Sequence, residues 1–182
     1  MTPKIISVNV GSPRSIQYGD RIVSTGIFKI PVNGRIRVGN LGLEGDGQAD
    51  LTVHGGPGKA VYAYPSEHYV FWEDELQTML PYGMFGENLT TEGLLEESVS
   101  VGDRFQVGSA ELIVTQPRFP CYKLGIKFSR MEIVKQFQAS GRSGFYLSVA
   151  KEGEVEASDS ILLIYHNKVN PTVMDLFSSN FD

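Results

Sequence analysis

The single cysteine, Cys121, sits in the segment Gln116 to Lys123 (QPRFPCYK), where Pro117 and Pro120 stiffen the backbone and Arg118 and Lys123 place positive charge nearby. Neighbouring cations favour a thiolate, the form that ligates a soft metal or attacks an electrophile. The commoner state of a lone cysteine is a buried, inert thiol, and the turn around Cys121 departs from it. A second segment, residues 39–59, carries seven glycines together with Asp46, Gln48, Asp50, His54 and Lys59. Backbone N–H groups of such a loop approach a ligand closely and form concavities for anions. Among its side chains, His54 has the ring whose unperturbed titration lies nearest neutral pH, which suits proton transfer. A third segment, Phe85 to Leu89 (FGENL), places Glu87 and Asn88 directly after a glycine.

Familiar motifs do not account for these segments. Gly58-Lys59 is followed by Ala60, and position 53 is Val53, so the pattern of a phosphate-binding P-loop fails at two places. His54-Gly55-Gly56 is similar to an esterase oxyanion loop, but the chain holds no Gly-x-Ser-x-Gly elbow. His54, His68 and His166 are too scattered for a helical zinc motif, and one cysteine excludes both an intramolecular disulfide and a four-cysteine zinc site.

The elements that position these residues read as short strands. Runs at 5–10, 27–32, 35–38, 60–64, 99–101, 104–107, 111–115, 145–150 and 161–165 are β-rich and separated by turn residues. Asn33-Gly34 predicts a two-residue hairpin between the second and third runs. Helices are predicted over about 66–76, after Pro65, and from Ser129, whose pairing with Glu132 predicts a capping box, to Gly141. A further helix start stands at Asn170-Pro171. The expectation is a mainly β fold, barrel-like, with a few inserted helices: one domain over residues 1–168 and a short helical remnant over 169–182.

The 182 residues carry 16 Lys+Arg against 21 Asp+Glu, a net charge of −5, which argues against a binder of nucleic-acid backbones. Charge is uneven: residues 1–40 hold six basic and one acidic side chain, residues 41–103 one and twelve. Acidic and basic faces of a folded surface explain this, and so does an anion site fed by Arg14, Arg21, Arg35 and Arg37, because guanidinium forks grip phosphate oxygens in pairs. No run of about 18 apolar residues exists to span a membrane, and the expected location is the cytoplasm.

Taken together, the residues resemble the MOSC family, the domain found at the C-terminus of molybdenum cofactor sulfurases, and its stand-alone bacterial members in particular. The resemblance rests on Gly45-Asp46-Gly47-Gln48-Ala49-Asp50, His54-Gly55-Gly56 with Lys59, Ala60 and Tyr64, then Pro65, Glu67 and Tyr69. It continues through Phe85-Gly86-Glu87-Asn88-Leu89, Gly102-Asp103, Gln116-Pro117-Arg118, Pro120-Cys121 and Lys123-Leu124. It implies a domain that binds the molybdenum cofactor (molybdopterin), with Cys121 as the metal ligand. Arg35, Gly55, Gly56, Lys59, Asn88, Arg118 and Lys123 are the expected holders of the pterin and its phosphate. Cys121, His54, Asp46 and Glu87 are the expected catalytic residues. Pyridoxal phosphate is not an expected cofactor. The implied activity is reduction of small N-hydroxylated compounds, hydroxylamino-purines among them, with electrons from an external flavin reductase; no nucleic acid or membrane partner is implied. The rival is a non-catalytic carrier of the cofactor or of persulfide sulfur. Some relatives continue into a small three-helix domain, which this chain enters at residues 170–173.

Overall fold

The computed structural model describes residues 2–47 and 55–181. Thirteen strands and four α-helices are formed among them: β1 (Lys4–Val10), β2 (Arg14–Tyr18), β3 (Arg21–Thr25), β4 (Ile30–Val32), β5 (Ile36–Gly39), β6 (Gly42–Leu43), β7 (Val61–Pro65), α1 (Glu67–Leu76), β8 (Leu89–Glu92), β9 (Arg104–Val107), β10 (Ala110–Pro117), α2 (Tyr122–Phe128), α3 (Glu132–Ser140), β11 (Phe145–Lys151), β12 (Gly153–Val155), β13 (Ile161–Tyr165) and α4 (Val173–Ser178). Eight strands make one sheet in the order β13-β9-β10-β11-β7-β8-β1-β4. Its neighbours are antiparallel except β7 and β8, which run parallel and are joined through α1.

The expected barrel is corrected to a curved, open sheet. Register shifts in the β1–β8, β10–β11 and β9–β13 pairs bend the strands, as inserted residues do. The bending brings the start of β1 to the loop before β13, where Ile5 N–H donates to the Asp159 carbonyl at 2.9 Å and Ile161 N–H to Pro3 at 2.7 Å. Among the described residues that contact does not grow into a ladder. The far half of β1 pairs instead with β4, and β13 leaves the seam with Leu162 to Tyr165 each about half exposed.

Two local expectations also change. Gly34 does make a turn, with φ of 82°, but β4 joins β1 while β5 joins β6 and β12 in a separate three-stranded sheet, so no hairpin forms there. The hairpin of this region is β2–β3, closed by Gly19-Asp20, a turn signal the strand reading passed over. Ser129 is not the N-cap of α3. It ends α2, a helix that was not expected, in the left-handed region, with φ of 52°. The capping box lies at α4, between Thr172 and Asp175.

Two apolar clusters fill the interior. Ile5, Val8, Leu89, Phe105, Leu112, Val114, Phe145 and Leu147 pack in the larger. The smaller is aromatic, with Tyr62, Tyr64, Tyr69, Trp72, Phe85 and Phe137 between the sheet and helices α1 to α3. The segment 169–181 lies against the sheet: Val173 belongs to the larger cluster, its N–H donates to the Val99 carbonyl at 2.8 Å, and Phe177 stacks on Phe119.

Candidate functional site

The end of β10, the loop before β4 and the loop after β6 converge on a cleft open to solvent. Its wall includes Ile27, Lys29, Asp46, Lys59, Tyr62, Phe85, Asn88, Arg118, Phe119, Cys121, Lys123 and Tyr146. Six residues expected to act together from sequence (Cys121, Asp46, Lys59, Asn88, Arg118 and Lys123) therefore share one surface, although they span 78 positions from Asp46 to Lys123. Others are elsewhere. Glu87 is wholly buried beneath the wall. Arg35 pairs with Glu156 at 2.7 Å on the three-stranded sheet. Gly55 and Gly56 precede the 3-10 turn Pro57–Lys59, of which only Lys59 reaches the wall. His54 lies outside the described residues.

The wall contributed by the glycine-rich loop is built around Asp46. Its carboxylate pairs with the Lys29 ammonium and accepts the Gly11 N–H at 2.9 Å and the Asn88 side-chain amide at 2.9 Å. Asn88 also accepts the Tyr62 N–H at 3.0 Å, tying Asp46 to β7. Both charges are buried, at 8% and 4% side-chain exposure, so the pair is held by geometry and by the extra hydrogen bonds. Burial pulls Lys29 below the usual lysine range, against the opposing attraction of Asp46. Glycine is required where this loop meets the hairpin: a Cβ on Gly26 would lie 2.2 Å from the Gly47 carbonyl oxygen.

Below it, Glu87 accepts from the Tyr69 hydroxyl, the Gly83 N–H at 2.8 Å, the Phe85 N–H at 3.2 Å and the Thr90 hydroxyl at 2.8 Å. Burial raises its carboxyl above 4.5 despite those donors.

The opposite wall is different. Arg118, the last residue before the Phe119-Pro120-Cys121 turn, is 5% exposed, yet its Nη1 has no hydrogen-bond partner. Its guanidinium carbon lies 5.2 Å from the Tyr62 ring centroid and 5.1 Å from that of Phe137. Burial acts to lower its pKa, but Tyr62, Tyr146 and Cys121 outweigh it and the net shift is upward, so the cation is secure. Tyr62 and Tyr146 are themselves raised by burial, with Arg118 opposing. Cys121 is half-buried at the N-cap of α2.

The cleft wall thus holds four cationic side chains (Lys29, Lys59, Arg118 and Lys123) against one carboxylate, in a chain whose net charge is negative. Such a surface selects an anion. Cys121 is the soft donor on it, and among the described residues no group of three His, Cys, Asp or Glu side chains gathers to hold a bare ion. A metal held at Cys121 would need donors beyond a cluster of described side chains, as an organic chelator supplies. A buried guanidinium with an unpaired N–H beside a thiol fits an anionic, metal-carrying group such as the molybdenum cofactor. Sequence reasoning missed Lys29, Tyr62 and Tyr146, and named Phe85 only as part of a motif. For Lys29 a signal existed: an ionisable residue inside the apolar run Ile27 to Val32.

The MOSC domain description matches residues 50–162. The chain is 45% identical over 160 residues to YflK of Bacillus subtilis, covering 88% of this chain and 72% of that protein. It is 32% identical over 170 residues to a protein named "Reductase" from Gibberella moniliformis, covering 90% of this chain but only 30% of that longer protein. The crystal structure of YiiM from Geobacillus stearothermophilus superposes with a TM-score of 0.82 at 34% identity, covering 98% of this chain and 84% of that one. No helix among the described residues is long and apolar enough to cross a membrane. By sequence match, fold and relatives alike, the chain belongs to the MOSC domain family, in the stand-alone bacterial type of YiiM and YflK.

Proposed function

We propose that this chain binds the molybdenum cofactor through Cys121 and serves as an oxidoreductase that reduces small N-hydroxylated compounds, with electrons from a separate flavin reductase. The observation that carries the reading is the pairing, in one cationic cleft, of a half-exposed thiol with a buried guanidinium whose Nη1 is unpartnered. The relative named as a reductase supports the redox part. When bound, the cofactor supplies two-electron chemistry at its metal.

The chain's own residues supply binding, orientation and protons. Cys121 offers the sulfur ligand. Arg118 directs its unpaired N–H at an anionic oxygen, and Lys59 and Lys123 balance further negative charge. Tyr62, Phe85 and Tyr146 line the cleft with ring surface and limit water. Conversion of N–OH to N–H consumes two electrons and two protons and releases water. Lys29, held by Asp46 and lowered by burial, is the proton source on the wall with the best-defined position.

The test is metal and pterin content of protein purified from a host that makes the cofactor, beside a Cys121→Ala variant, followed by turnover of an N-hydroxylated purine with a chemical reductant. Near-stoichiometric molybdenum that falls to background in the variant, with turnover, is the expected result. Metal without turnover overturns the enzyme reading in favour of a carrier. Absence of metal from both proteins overturns cofactor binding.

A further inference from the structure

The four N-terminal arginines that sequence grouped as a source of charge are separated by the fold. Arg35 and Arg37 are spent on Glu156 and Glu152, at 2.7 and 3.1 Å. Arg14 instead holds its guanidinium carbon 3.5 Å from the centroid of Phe28. Lys127, one turn along α2 from the cleft residue Lys123, brings its ammonium to 5.0 Å from the same ring. Phe28 is also the chain neighbour of Lys29. Two cations from two segments, β2 and α2, thus lie against one aromatic side chain of the loop before β4. Among the described residues no carboxylate forms an ion pair with Arg14 or Lys127.

This arrangement is costly in the absence of an anion. Each cation is attracted to the ring face, but the ring does not neutralise their mutual repulsion. Lys127 registers the cost. Burial lowers its pKa first, and the nearby Arg14 and Lys29 lower it further, against the pull of Glu87. The cleft beside it encloses only about 100 Å³. That is well under the roughly 300–1,000 Å³ of pockets that surround a whole small molecule, so any larger ligand must extend over the rim. On that rim the exposed rings of Tyr18 and Tyr122 face each other at 6.1 Å, bridging the β2–β3 hairpin to α2.

We infer that Arg14 and Lys127 form a second anion site that takes a phosphomonoester group of a ligand whose reacting end lies in the cleft. The inference rests on the reading that the cleft receives such a ligand. Two sources share the chemistry: a phosphorylated substrate, and the phosphate of the cofactor itself.

Inorganic phosphate titrated into cofactor-free protein, followed by NMR of the Arg14 and Lys127 side chains, tests it without needing metal or turnover. The expected result is saturable binding, weakened roughly tenfold or more in Arg14→Gln and in Lys127→Gln. It is unchanged in Arg104→Gln, which removes the same charge from an exposed position of β9. Absence of binding, or equal affinity in all four proteins, overturns the site. Repeating the titration on cofactor-loaded protein separates the sources: retained binding assigns the rim to a substrate phosphate, and lost binding assigns it to the cofactor. Failure of the cofactor reading has a different signature, rim binding in a protein that never acquires molybdenum.

Discussion

The two walls of the cleft hold polar groups in opposite states. On the Asp46 wall every partner is used: Lys29, Gly11 and Asn88 converge on one carboxylate, and beneath it Ser7, Asn9, Thr90 and Tyr69 form a buried chain that ends on Glu87. On the Arg118 wall a guanidinium is buried to the same degree, yet one of its nitrogens has no partner, and the thiol beside it is half-buried. A satisfied network holds backbone in place and contributes rigidity. An unsatisfied one keeps interaction energy in reserve for whatever enters. Scaffold and receptor are thus distinguishable by hydrogen-bond accounting alone.

Breaking the satisfied wall is expected to have the largest effect on stability. Asp46→Ala leaves Lys29 buried without a counter-charge and should cost about 3–5 kcal/mol in urea denaturation. The double variant Lys29→Met/Asp46→Leu should cost clearly less than Asp46→Ala, because no lone charge remains. A double variant as unstable as the single would mean that the network's hydrogen bonds, and not the charge, dominate.

Glu87→Gln comes next, at about 1–3 kcal/mol, since an amide nitrogen cannot accept from the groups that both carboxyl oxygens serve, whether the carboxyl is ionised or protonated. Its dependence on pH has a definite sign. A carboxyl raised by burial binds its proton more tightly in the folded state, so its contribution is complete below 4.5 and is lost as pH rises through the raised value. The stability difference between wild type and Glu87→Gln should therefore shrink as pH increases from 4.5, in denaturation curves recorded at several pH values.

The smallest effect on stability belongs to the receptor wall. Arg118→Met removes a buried charge that already lacks one partner, and should alter stability by no more than about 1 kcal/mol. The same change should reduce pterin and molybdenum content by roughly tenfold or more. A large loss of stability with cofactor content intact would place Arg118 on the scaffold side of the comparison.

How much of this was legible in sequence varies by residue. Cys121 was visible because local features mark it: two prolines, two cations and no second cysteine to pair with. Asp46 was visible through its glycines, but its role was not. Nothing in residues 39–59 indicates that its carboxylate is taken up by a lysine 17 positions earlier and an asparagine 42 positions later. Glu87 was chosen for its chemistry and lies under the site, because the turn at Gly83 and Gly86 folds its carboxylate inward onto backbone N–H groups. Turn formers were read correctly as turns, yet Gly34 joins two strands that part into different sheets. A turn specifies a reversal and leaves the pairing partner open.

What the amino-acid sequence determined by itself is therefore local and chemical: the rigid turn bearing one thiol, the glycines that permit close backbone approach, the strand-rich pattern, and the motif order that marks the family. The tertiary structure alone decided which charges are spent. Arg35 and Arg37 meet carboxylates from the segment around β12 and Lys29 meets Asp46, whereas Arg14 and Lys127 lie against the ring of Phe28. Charge pairing depends on distances of a few ångströms between segments far apart in the chain, and the energy of an ion pair falls off with separation and with exposure to water. Composition records how many charges there are, and only the packed fold decides which of them remain available to a ligand.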